Sequence, residues 1–134
     1  MSVFHLSWPS EVAGNADEYL SLDRGPDGTW EVAATHCTWC PVDGGAGQVA
    51  AFARWLLNPP PGGYDCDFTL VDRSALPDRR QFWPVEIDVT LTRRPADGPE
   101  SMSVSLDEIM LLWEPADRAR IERAATALLA AVTP

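Results

Sequence analysis

The residues in this chain whose types and spacing suit chemistry begin with His36-Cys37-Thr38-Trp39-Cys40-Pro41. A Cys-x-x-Cys pair offers two thiolates to a zinc ion at about 2.3 Å, and a further Cys and a His complete a tetrahedral set. Cys66 downstream supplies the third thiol and His36, or His5 upstream, the imidazole, so the candidate metal set is His36, Cys37, Cys40 and Cys66. Cys37 and Cys40, followed by Pro41, also fit a redox dithiol. A thioredoxin-like pair, however, belongs at a helix start after a strand, and the helical pattern here begins about seven residues later. A structural reading stands beside both: Cys66 alternates in step with Phe68 and Leu70, as a small hydrophobe of the core does.

Carboxylates form the second constellation. Asp65 and Asp67 lie on the alternating stretch 64–72, and Glu86 and Asp88 on the stretch 85–92. If these two strands pair antiparallel, Asp65, Asp67, Glu86 and Asp88 share one polar face. Like charges on neighbouring strands cost stability, so such a face is relieved by Arg93 and Arg94 at the strand ends, held for a partner, or simply solvated. Paired carboxylates can act as general acid and base, but no neighbouring residue marks one of these for a raised pKa. Gly44-Gly45-Ala46-Gly47 precedes a helical pattern, where open amides can hold an anion. No Lys or Arg follows it and Asp43 sits beside it, so it reads as a plain loop. No catalytic motif appears, and neither an enzymatic activity nor a cofactor is implied.

The elements that must position these residues follow from periodicity. In the stretch 82–94, Val85, Ile87, Val89 and Leu91 alternate with Glu86, Asp88, Thr90 and Thr92, which predicts a core strand with one wet side. A first strand, at a sheet edge, is predicted over 3–8, where Phe4, Leu6 and Trp8 alternate before Pro9. Two alternating stretches from Glu18 and from Thr29 flank Arg24-Gly25-Pro26-Asp27-Gly28, a hairpin signal. His36 to Pro41 breaks that pattern. Met102, Val104 and Leu106 alternate with serines, and 109–113 reads as a strand after an interruption near Asp107.

Helices are predicted over 48–57, from the spacing of Val49, Phe52, Ala53, Leu56 and Leu57, and over 115–132, with Pro115 in the first turn. On the second helix Arg118, Arg120, Glu122 and Arg123 read as a solvated face opposite Ile121, Ala124, Ala125, Leu128 and Val132. The fold class is α+β: a single domain over 1–134, with a mainly antiparallel sheet and both helices packed on one face.

Charge narrows the partners. The 134 residues carry 20 acids against 10 bases, all of them Arg, for a net charge of -10. Such a chain is repelled by phosphate backbones and anionic lipid, which argues against nucleic-acid and membrane binding and favours a basic protein partner. Three cysteines, an odd number, and a start without a basic or apolar run place the expectation in the cytoplasm. The leading functional expectation is an acidic binding protein that docks a basic partner. Bacterial immunity proteins for basic toxins offer an analogy of size and charge alone. The alternatives are a metal-binding or thiol-redox protein built on Cys37, Cys40 and Cys66, and a small-molecule enzyme or carrier whose pocket is lined by some of the six Trp.

Overall fold

The computed structural model of the protein describes residues 2–12, 14–72, 86–106 and 109–133. Among these, the chain makes four strands and a helix, then four strands and a helix again. In the first half β1 (Phe4–Trp8), β2 (Glu18–Arg24), β3 (Trp30–Ala34) and β4 (Cys37–Pro41) precede α1 (Gly45–Leu57). In the second, β5 (Tyr64–Val71), β6 (Ile87–Arg93), β7 (Glu100–Leu106) and β8 (Ile109–Trp113) precede α2 (Arg118–Val132). The α+β class and antiparallel pairing agree with the alternation, but the strands divide into two sheets, β1-β2-β3-β4 and β5-β6-β7-β8. Within each sheet, neighbours in sequence are neighbours in space, and α1 intervenes where the meander breaks. Residues 82–85 of the predicted core strand, and the interruption predicted near Asp107, lie outside the described residues.

Local chemistry explains the turns. Between β2 and β3 the Gly25 N–H donates to the Thr29 carbonyl at 2.8 Å and the Thr29 N–H to the Asp27 carboxylate at 3.0 Å. Gly28 supplies the left-handed residue there, at φ 86°. The stretch 37–41 does not leave the sheet. It forms β4, with Ala34 opposite Cys37 across a two-residue turn that needs His36 at φ 68°. A register shift between Val32 and Ala34 then hides the strand's periodicity.

Both helices begin elsewhere than the pattern predicts. The first turn of α1 is Gly45-Ala46-Gly47, which carries no apolar period, so the glycine run is helix rather than loop. In α2 the N-cap is Asp117, whose side chain accepts the Arg120 N–H at 3.2 Å, and Pro115 lies ahead of the helix.

Val49, Phe52, Ala53 and Leu56 of α1 fall at i, i+3, i+4 and i+7, and Ile121, Ala124, Ala125 and Leu128 of α2 repeat that spacing. These stripes pack the helices on each other and onto the strands: α1 meets β5 and β3, and α2 meets β1. Each helix thus covers the first strand of the other half. Phe52 sits at the junction, with its ring 5.9 Å from Phe4 and 5.2 Å from Phe68. The β4–α1 joint is tied to the end of β5 by the Asp43 N–H on the Leu70 carbonyl at 3.1 Å and by the Asp72 N–H on the Asp43 carboxylate.

Candidate functional site

The outer face of the second sheet is built from short polar side chains. β5 pairs with β6 so that Asp65 faces Thr92, Asp67 faces Thr90 and Asp88 faces Thr69. Each carboxylate accepts a cross-strand hydroxyl: Thr69 to Asp88 and Thr90 to Asp67 at 2.6 Å, and Thr92 to Asp65 at 3.2 Å. On β7 the same rows continue through Ser101, Ser103 and Ser105. Asp65, Asp67 and Thr69 are exposed, while Asp88, Thr90, Thr92 and the three serines are half-buried among their neighbours. Asp67 lies two residues from Asp65 along the strand and on the diagonal to Asp88, a spacing of about 7–8 Å. Glu86 stands just ahead of β6 and is half-buried.

Of the two arginines expected to relieve these charges, Arg94 reaches Asp65 at 3.6 Å in an exposed pair worth little. The Arg93 guanidinium lies over the Tyr64 ring at 6.0 Å. On β8 the outer rows end in apolar side chains: Met110, opposite Ser105, is 61% exposed, and Leu112, opposite Ser103, is half-buried, while Ile109, opposite Leu106, belongs to the other face.

The sulfur residues are distributed differently. His36 occupies the turn before β4 and is exposed, while Cys37 and Cys40 on β4 are both buried in the shared core. Cys66 is on β5, in the other sheet, with its thiol 3.8 Å from the Leu91 carbonyl. Burial first, and then the carboxylates of Asp67, Asp65 and Glu100, hold the Cys66 thiol above its ordinary pKa, although Trp55 opposes this. A metal ligand or redox nucleophile needs the thiolate, which this environment disfavours. Among the described residues no group of three or more His, Cys, Asp or Glu is placed to hold a metal ion.

The described Trp residues are spread over the core and the surface. Trp8, Trp30 and Trp113 belong to the core, with Trp8 and Trp113 stacked at 5.5 Å, while Trp55 packs on Phe52 and Phe68 and Trp39 is exposed. Trp83 lies outside the described residues.

A buried polar cluster escaped the sequence reading. Glu100, 2% exposed, accepts from Arg118 through both oxygens, from Nε at 2.9 Å and a terminal nitrogen at 2.5 Å, and also takes the Tyr64 hydroxyl proton as a hydrogen bond. Arg118 also donates to the Leu56 carbonyl at the end of α1, at 2.5 Å. Burial opposes the Arg118 charge, yet the Glu100 carboxylate outweighs it and raises the guanidinium pKa above its ordinary value. Burial, and next the hydrogen bond to Glu100, push the Tyr64 hydroxyl up to about 12. Arg118 and Arg120 are therefore not a solvated face: Arg120 donates to the Ser7 carbonyl at 2.6 Å and lies 5.1 Å over the Trp113 ring. Glu122 and Arg123 are exposed as expected. The one available signal was an acid, Glu100, beginning a strand whose other alternating partners are apolar.

No protein-family model matches the chain, and no curated protein or solved structure matches it either. No helix among the described residues is long and apolar enough to cross a membrane.

Proposed function

We propose that the protein is a non-enzymatic binding module whose outer face on β5, β6 and β7 receives a basic protein. The observation that carries this is the in-register array of Asp65, Asp67 and Asp88 among threonines and serines, in which cross-strand hydroxyls already hold the carboxylates in place on the outer face. Fixed acceptors of this kind lose little conformational entropy on docking and can take charge-assisted hydrogen bonds from Arg or Lys. Met110 and Leu112 on β8, opposite Ser105 and Ser103, supply apolar area beside the charged rows. The chain's net charge of -10 adds a long-range attraction that favours a basic partner's encounter.

The test replaces the four carboxylates by amides, Asp65→Asn, Asp67→Asn, Glu86→Gln and Asp88→Asn. Carbonyl oxygens remain to accept the threonine hydroxyls, so the fold survives, with a thermal midpoint equal to the parent's or higher because mutual repulsion is relieved. A pull-down from the native cell should recover a basic protein with the parent chain. The amide variant should recover much less of it, and moderate salt should weaken the parent's capture, since exposed charges are screened over about 8 Å. Equal recovery by both chains would leave the face as solvated surface only.

A further inference from the structure

Two arginines of α2 and the histidine of β1 meet away from the acidic face. An open cleft of about 400 Å³ lies between β1 and α2, lined by His5, Arg120 and Arg123 together with Val3, Leu6 and Ala124. Its volume is enough for a small molecule, one face of which would stay open to solvent. In a chain with twice as many acids as bases, none of the described residues lining it is acidic. Two of its three cationic or ionisable side chains are already held in place. Arg120 is fixed by the Ser7 carbonyl and the Trp113 ring, and its fork has further N–H donors beyond that one bond. The His5 Nδ1 is engaged by the Ser21 hydroxyl at 2.5 Å and the ring stacks on Tyr19, which leaves Nε2 for another partner.

The backbone adds a donor. Tyr19, opposite Ser7, turns both its N–H and its carbonyl toward Thr35, so Ser7 and Tyr19 are not a hydrogen-bonded pair across β1 and β2. The Ser7 carbonyl accordingly points to the open edge of β1, where Arg120 finds it. Paired and unpaired positions alternate along an antiparallel ladder, so His5, two residues earlier, also turns its N–H to that edge. The cleft is thus lined from β1 by an edge amide, His5, Val3 and Leu6, and from α2 by Arg120, Arg123 and Ala124.

We infer that this cleft is a binding site for a small organic anion, a carboxylate or phosphate on a compact apolar body. The oxyanion lies against Arg120, Arg123 and the edge of β1, and the apolar body lies on Val3, Leu6 and Ala124. The site is separate from the acidic face of the second sheet and does not depend on that face having a partner.

Titration of the full chain at low ionic strength with benzoate and with phenyl phosphate, followed by calorimetry and by the amide shifts of residues 2–7 and 120–124, tests it. At least one probe should bind saturably, and which one it is separates a carboxylate ligand from a phosphate ligand. Benzyl alcohol, which lacks the charge, should not bind. Arg123→Gln, at an exposed position, should keep the thermal midpoint and weaken the bound probe about tenfold or more, the loss of a charge-assisted contact. The inference is overturned if neither probe saturates by ~10 mM, far weaker than a ~1 mM site at about 4 kcal/mol. It is overturned as well if benzyl alcohol binds equally, or if Arg123→Gln binds like the parent chain.

Discussion

Tyr64, Glu100 and Arg118 show how much a few buried polar atoms can decide. Taking a carboxylate and a guanidinium out of water costs several kcal/mol per ion, and the pair is tolerated because Glu100 is met by three donors from Arg118 and Tyr64. The cluster leaves a titration signature. In the unfolded chain the Tyr64 hydroxyl ionises near its ordinary value of 10.0, whereas in the folded chain it holds its proton to about 12. Its folded pKa is raised, so the contribution is fully present below pH 10 and is lost as pH rises to about 12. Across that window unfolding free energy should fall by about 1.4 kcal/mol per pH unit from this group. Urea denaturation at stepped alkaline pH, compared between the parent and Tyr64→Phe, measures it. The variant should lack this part of the slope, and identical slopes would mean that Tyr64 ionises alike in both states.

At the level of elements, alternation was a sound guide wherever a strand kept strict register. Ile87, Val89 and Leu91 are buried, and Asp88, Thr90 and Thr92 face outward, as period two requires. It misled where a bulge intervened. Val71 alternates with the outward set in sequence, yet it is buried opposite Ile87 because the register shifts after Thr69. Cys37 and Cys40, three apart, are both buried beside the bulge in β3–β4. Helix stripes were equally legible, and Phe52 is their most demanding position. Fully buried between Phe4, Trp55 and Phe68, it joins α1 to strands of both sheets. Phe52→Ala should therefore lower unfolding free energy by about 3–5 kcal/mol, read from the urea midpoint at constant slope. A loss near 1 kcal/mol would mean that the aromatic cluster closes over the vacancy.

Considered whole, the molecule is two halves of like plan that exchange helices. α2 lies on β1 and α1 on β5, and Trp8 of the first half stacks on Trp113 of the second. The buried side chains of both form one cluster. Neither half can then bury its apolar strands alone. Chains 2–60 and 61–134 expressed separately should lack a cooperative thermal transition by circular dichroism, and mixing them should restore one. A sharp transition in either half alone would refute the shared core. The same architecture keeps the acidic sheet face and the cleft beside β1 on different elements, so charge at one can be changed without touching the other.

The amino-acid sequence by itself determined the α+β class, all of whose described elements but β4 are readable from pattern, and the outward placement of Asp65, Asp67 and Asp88. These are local matters: period two or 3.6 and turn residues act within about ten residues. Tertiary structure alone decided that the strands split into two sheets, since no local pattern states which strand declines to pair. It also decided that Arg118 and Arg120 turn inward. Whether a charged side chain is solvated depends on what the rest of the chain brings beside it. Here that is Glu100 from β7 of the same half, and the Ser7 carbonyl from β1, far away in sequence and adjacent only once α2 has crossed to the other half.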